Sequence, residues 1–257
     1  GFRALLGGDT ENDRVKALNF WKELPPNLRR KSPIACRLAR ELEEGSFNAS
    51  SLVDFKVWMH LLCFHPVLLQ QEKEVAALVH KGVGFSEEDR HLILAREKNL
   101  ASTVLARYRA LQDVGRIEVS TSPLYHPILP LIVDSTVSRR TETRLPLPEE
   151  EVKRPEDAVA HIRMAKEYYR TLFGKNPAGM WPSEGSLSEE VLDLFVAEGI
   201  RWVGADNHLL VKSVGASDFS FRYCWDANLT VLFRDRLLSD KVGFTFQKMD
   251  ERDAAQE

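Results

Sequence analysis

Apolar residues recur at steps of three and four through the first part of the chain, the spacing that buries one face of an α-helix. The pattern predicts helices at 15–21, 32–44, 52–69 and 86–111. Asn48 and Ser86 stand where N-terminal caps belong, and the proline of His65-Pro66 predicts a break inside the third helix. The first part of the chain, residues 1–114, is therefore predicted to be mainly helical.

From Gly115 onward the pattern changes its period. Residues 116–121 alternate apolar and polar side chains, and short β-rich runs recur at 179–181, 200–205 and 229–233. Helical patterns at 155–173 and after Ser188 separate the later runs, and residues 134–150 are predicted to form a polar surface excursion. Alternating strands and helices predict an α/β fold of parallel units over residues 115–257, curled into a barrel or an open sheet.

Composition and charge narrow the classes of function. The net charge is -3 with acids and bases interspersed, so we expect no nucleic-acid partner and no membrane surface as partner. The three cysteines are far apart and odd in number, which favours a reducing, cytoplasmic compartment over a disulfide framework. The first residues do not have the pattern of a signal peptide, and the initiating methionine is absent, so we expect a fragment or a processed chain.

Four predicted strands are each followed by a polar or ionisable group. These groups are His126 within a proline-flanked loop, Glu184 after a strand-ending proline, Asp206, and Asp235. Because proline stops the hydrogen-bond ladder, Glu184 should leave the sheet at the carboxyl end of its strand, where α/β folds place their chemistry. Acidic side chains converging there are typical of glycoside hydrolysis. The plain alternatives are a helix-entry acid for Glu184 and a helix cap for His126.

Two longer segments carry a resemblance to a known family. The segments GRIEVSTSPLYHPILPL (115–131) and GMWPSEGS (179–186), followed by FRD and LSDKVGF (233–244), resemble signature regions of glycoside hydrolase family 57. That family contains α-amylases, 4-α-glucanotransferases, branching enzymes and amylopullulanases built on an incomplete (β/α)7 barrel. The resemblance implies a partial (β/α)7-type barrel with a helical N-terminal region, an α-glucan or maltooligosaccharide substrate, no cofactor and no metal.

The same resemblance implies a role for each candidate residue. Glu184 would be the nucleophile of a retaining mechanism. Glu118 and His126 would line the sugar subsite, and Trp181 would offer an aromatic face to a pyranose ring. A carboxylate at Glu118, on a predicted strand with apolar neighbours, also needs a binding partner on physical grounds. Asp206 would bind sugar, and Asp235 would have either a structural or a sugar-binding role.

Departures from the family pattern limit what the resemblance implies. No His-Gln-Pro-like strand end precedes the helical region, and Asn207 follows Asp206 where relatives often carry an acid. The family's general acid is expected beyond Glu257, so we expect an internal fragment of a catalytic domain that is inactive alone. Asp235 is an alternative acid, but its neighbour Arg234 would hold that carboxylate ionised.

Two other functions stay open at this point. A metal-dependent polysaccharide deacetylase on a related barrel would need an aspartate with two histidines, of which Asp206, His208 and His126 offer a weak version. The chain could also be a non-catalytic glucan-binding remnant. The sequence distinguishes neither hydrolase from transferase nor one oligomeric state from another.

Overall fold

The computed structural model describes residues 11–140, 143–215, 218, 220 and 222–257. The chain divides into two compact units, one of Gly1–Val104 with Val242–Glu257 and one of Leu105–Lys241. The first is helical and the second is mixed α/β. None of the described helices is long and apolar enough to cross a membrane.

The helices predicted for the helical unit are present, together with others that were not predicted. Its helices are α1 (Glu11–Glu23), α2 (Pro26–Arg29), α3 (Pro33–Glu44), α4 (Ala49–Cys63), α5 (Pro66–Gln71), α6 (Lys73–Lys81) and the start of α7 (Glu87–Asp113). The side chain of Asn48 caps α4 by accepting from the Ser51 N–H at 2.8 Å. The predicted break is confirmed, because α4 ends at Cys63 and α5 begins at Pro66.

The α/β unit is built on a small sheet of order β1-β2-β4-β3. The strands are β1 (Gly179–Met180), β2 (Trp202–Asp206), β3 (Tyr223–Cys224) and β4 (Thr230–Arg234). The pairs β1–β2 and β2–β4 are parallel, as the alternation of strands and helices predicted. Around the sheet lie α8 (Leu129–Val133), α9 (Pro155–Phe173), α10 (Glu189–Ala197), α11 (Asn207–Val214) and α12 (Arg236–Asp240). A last helix, α13 (Glu251–Gln256), belongs to the helical unit.

The core of the α/β unit lies between the sheet and two of these helices. Ile162 on α9 and Phe195 on α10 are fully buried against Met180 of β1 and Val203 of β2. Burying an apolar side chain of this size contributes about 1.5–3 kcal/mol each. Packing against α9 and α10 therefore holds β1 and β2 in position, and with them the residues that follow their carboxyl ends.

The predicted strand at 116–121 is wrong except at its last residue. Thr121 alone pairs with Met180 in an isolated parallel bridge. The backbone of Val119 forms hydrogen bonds with side chains instead of with a neighbouring strand. Its N–H donates to Gln112 Oε1 at 2.9 Å, and its carbonyl accepts from the Tyr169 hydroxyl at 2.8 Å. These bonds satisfy the backbone without a neighbouring strand.

Other elements also differ from the sequence pattern. The polar excursion contains a 3-10 turn over Ser135–Arg140 that begins with a buried serine, while residues 141–142 lie outside the described part. The edge strand β3 pairs antiparallel with β4 and was not predicted. In the hairpin loop between them, Asp226 accepts from the N–H groups of Asn228 and Leu229 at 2.7 and 2.8 Å.

Candidate active site

The carboxyl ends of the parallel strands meet at one edge of the sheet. Asp206 at the end of β2 pairs in register with Arg234 at the end of β4. Trp181 directly follows β1, and its backbone N–H donates to the Thr121 carbonyl at 2.7 Å. Glu184 lies three residues further along the chain, after the proline that ends the strand. Ionisable groups from three successive strands are thus gathered at this edge.

Glu184 occupies a turn that holds its backbone in the left-handed region, with φ 55° and ψ 19°. The turn is closed by the Gly185 N–H donating to Pro182 O at 2.9 Å and the Ser186 N–H donating to Ser183 O at 3.0 Å. A residue with a Cβ loses about 1–2 kcal/mol in this conformation. The side chain gains no packing in return, because it is 71% exposed. The surrounding turn therefore imposes this conformation and presents the carboxylate to solvent.

His126 reaches the same place from the proline-flanked loop. Its Nε2 lies 3.6 Å from Glu184 Oε1, which is an electrostatic contact and longer than a direct hydrogen bond. Tyr125 and His126 are also left-handed, with φ 63° and 55°. The loop is tied to α9 by His161, whose Nδ1 donates to Leu124 O at 2.6 Å and whose carbonyl accepts from the Leu124 N–H at 3.1 Å. Of the four groups that the strand-end argument placed together, His126 and Glu184 are thus in contact.

Trp181 sits over the ends of β2 and β4. A Cβ at Gly204 would lie 2.7 Å from Cε3 of the Trp181 ring, so only glycine admits the ring there without displacement. The Arg234 guanidinium lies 5.1 Å from the centroid of the same ring, in cation–π geometry. Trp181 is thus held between the backbone of β2 and the guanidinium at the end of β4.

Arg234 is the central cation of this edge, and the sequence pattern did not single it out. Its guanidinium pairs with Asp206 on the neighbouring strand, whereas the sequence suggested Asp235 as its partner. The pKa of Arg234 is raised, first by the hydrogen bond with Asp206 and further by the charges of Asp206, Asp240 and Glu184. Its position as the last residue of a strand, in register with an aspartate, is the signal that could have identified it.

Asp235 and Glu118 each have a hydrogen-bond partner other than Glu184 and His126. The Asp235 carboxylate caps α12 by accepting from the Leu238 N–H at 3.0 Å. Glu118 is exposed, outside any strand, and accepts from the indole N–H of Trp202 at 2.6 Å. Since Trp202 begins β2, Glu118 lies at the amino ends of the strands, opposite the edge that carries Glu184. The structure therefore does not bring Glu118 to this site.

Metal ligation has no counterpart at this edge. In the part of the chain that the structure describes, no group of three or more His, Cys, Asp and Glu side chains is arranged to hold a metal ion. The residues suggested for a deacetylase-type centre, Asp206 among them, do not form such a group, and Asp206 is already paired with Arg234.

Comparison with solved structures finds similar chains of low identity. Among them are a 4-alpha-glucanotransferase from Thermococcus litoralis (22% identity, TM-score 0.41, covering 59% of this chain and 21% of that one), a GH57-type branching enzyme from Pyrococcus horikoshii (18%, 0.45, 92% and 42%) and the alpha-amylase AmyC from Thermotoga maritima (16%, 0.46, 89% and 40%). This chain thus spans less than half the length of each. No curated protein matches it. The sequence model of Glycosyl hydrolase family 57 matches residues 54–257, most of the chain, and the protein therefore belongs to that family.

Proposed function

We propose that this edge of the sheet is the nucleophile side of a retaining glycoside hydrolase or transglycosidase that acts on α-glucans, with Glu184 as the nucleophile. The observation that carries the proposal is the placement of Glu184: an exposed carboxylate in an imposed left-handed turn at a strand's carboxyl end, beside His126. Membership of glycosyl hydrolase family 57 supports the reaction class. The α-glucan substrate rests on the resemblance of the two signature segments.

The mechanism uses Glu184 in two steps. A carboxylate oxygen attacks the anomeric carbon, the glycosidic C–O bond breaks, and a general acid protonates the leaving oxygen, which gives a covalent glycosyl-enzyme. Water, or a hydroxyl of a second glucan, then attacks the same carbon and releases Glu184, with its proton returning to the acid. His126 Nε2, 3.6 Å from Glu184 Oε1, orients the attacking carboxylate.

The general acid is proposed to be a carboxyl group other than Asp206 and Asp235. Asp206 accepts from the Arg234 guanidinium, and Asp235 accepts from a backbone N–H. Each therefore has an oxygen engaged in a structural contact, Asp206 with the guanidinium of the neighbouring strand and Asp235 with the start of α12. Asp206 serves this site by fixing Arg234 over Trp181, and Asp235 by starting α12 beside it. A sugar hydroxyl could still bind to the remaining lone pairs of either carboxylate.

The test replaces Glu184 by glutamine in the protein that contains this chain. Turnover of amylose and maltooligosaccharides, followed by reducing ends and by chain-length redistribution, should fall by about 10³-fold or more because the attacking group is lost. Oligosaccharide affinity, measured by calorimetry, should be retained. Glu189, exposed in the first turn of α10, provides the matched control, and Glu189→Gln should leave turnover unchanged.

A chemical rescue sharpens this test. In Glu184→Gly, azide should restore turnover of an activated α-glucoside and yield a β-glucosyl azide, since the anion enters where the carboxylate attacked. Turnover of Glu184→Gln within tenfold of the wild type would contradict the assignment of the nucleophile. If the protein were a non-catalytic glucan-binding remnant, the wild type and every variant would bind oligosaccharide and none would turn it over.

A further inference from the structure

We propose that a cavity at the amino-terminal ends of the sheet strands binds a phosphate group, either free or carried by a sugar. The cavity has a volume of about 440 Å³. Ala178 and Arg201, the residues just before β1 and β2, line it together with Glu118. It therefore lies at the end of the strands opposite Glu184, and the proposal does not depend on the function proposed for that residue.

Positive charge exceeds negative charge around this cavity. Arg116, Lys175 and Arg201 line it, against the single carboxylate of Glu118. That carboxylate already accepts from the Trp202 indole at 2.6 Å. Among the described residues, none forms an ion pair with any of the three cations. Three cations left without carboxylate partners around one concavity are suited to a multiply charged anion, and guanidinium groups bind phosphate oxygens in bidentate geometry.

Gln112, which also lines the cavity, carries a buried donor without a partner. Gln112 is only 6% exposed, and its Oε1 accepts from the Val119 N–H at 2.9 Å. Because a backbone N–H can only donate, the amide oxygen must face Val119, and the NH₂ group faces away from it. That nitrogen is buried and has no hydrogen-bond partner among the described residues. Leaving such a donor unsatisfied destabilises the empty cavity, and an acceptor oxygen of a ligand that reached it would satisfy it.

The size of the cavity leaves room for more than phosphate alone. A cavity of about 440 Å³ falls within the range of roughly 300–1,000 Å³ typical of small-molecule sites. The Tyr169 hydroxyl on its wall lies 2.9 Å from Gln112 Oε1 and is a further polar group within the lining. A sugar attached to the phosphate would have space and polar neighbours, so the two sources of the anion need separate measurements.

The experiment titrates the wild-type protein by calorimetry with inorganic phosphate, glucose 1-phosphate, glucose 6-phosphate and glucose at constant ionic strength. We expect phosphate to bind and glucose not to bind. Tighter binding of a sugar phosphate would identify that source, and equal binding would identify free phosphate. Absence of binding by phosphate and by both sugar phosphates at about 10 mM would overturn the proposal, because that concentration still detects sites with dissociation constants in the millimolar range.

Variants locate the site. Arg201→Gln and Lys175→Gln should each weaken phosphate binding about tenfold or more, as expected for loss of a charge-assisted contact. Lys212→Gln removes the same charge from exposed α11 and should change the affinity less than twofold. Equal weakening by all three variants would show a response to net charge alone and would refute the site. All three positions are exposed, so the substitutions leave the core intact.

Discussion

Exchanging Glu184 for glycine and, separately, for alanine tests whether the left-handed turn stores strain. Both exchanges remove the carboxylate and its 3.6 Å contact with His126, so their difference reports the backbone alone. At a φ of 55° a residue with a Cβ loses about 1–2 kcal/mol, which glycine does not lose. The greater conformational freedom of glycine in the unfolded chain offsets roughly 0.5–1 kcal/mol of this advantage in the free energy of unfolding. We expect Glu184→Gly to be more stable than Glu184→Ala by about 0.5–1 kcal/mol.

Urea unfolding of the two variants measures this difference in the free energy of unfolding. Glu167, exposed in the middle of α9, supplies the control. There the order should reverse, with alanine more stable than glycine by about 1 kcal/mol, since the backbone is helical. If glycine is less stable than alanine at position 184 as well, the turn stores no strain and the argument for an imposed conformation fails.

Two further predictions concern packing and pH. A Cβ at Gly179 would lie 1.8 Å from Cε2 of Trp202, so Gly179→Ala should lower the free energy of unfolding by about 2–3 kcal/mol. The control is Gly243→Ala, which should not lower it because a Cβ there would have nothing within 4 Å. Equal losses for the two variants in urea titrations would contradict the steric argument. The pKa of Glu198 is lowered from its ordinary value of 4.5, chiefly by the hydrogen bond from Arg163. The stabilisation from ionised Glu198 is therefore fully present above pH 4.5 and is lost as the pH falls through the lower folded-state pKa. Glu198→Gln should lower the free energy of unfolding near pH 7, and this loss should shrink as the pH is lowered below 4.5; a loss that stays constant over that range would refute the linkage.

The helices could be predicted because their signals are local. Ser32 and Ser188 cap α3 and α10 through side-chain bonds to Ala35 and Val191, three residues along the chain. The helix α9 runs over Pro155–Phe173 as its first proline and following glycine indicate. Each of these decisions depends on a few neighbouring residues, so sequence pattern is sufficient for them.

The failed predictions depend on contacts between distant segments. The alternating pattern at 116–121 is compatible with a strand, but Tyr169, 50 residues from Val119, takes the backbone carbonyl that would pair. Glu118 likewise finds its partner 84 residues away in Trp202. Glu184 and His126 could be placed because each follows a proline-marked segment of its own. Arg234 could not, because its role appears only when β2 and β4 are set in register.

The β3–β4 hairpin has a consequence for the order in which the sheet assembles. One short loop separates Cys224 from its partner Thr230. By contrast, a whole helix lies in the chain between Gly179 and its partner Trp202, and another between Trp202 and its partner Thr230. Closing the short loop costs the least chain entropy, and hairpins form in about 1–10 μs. We therefore expect the antiparallel edge to form before the parallel pairs. The edge that carries Asp206 and Arg234 would be completed last, when β2 docks onto a β4 already held by its hairpin.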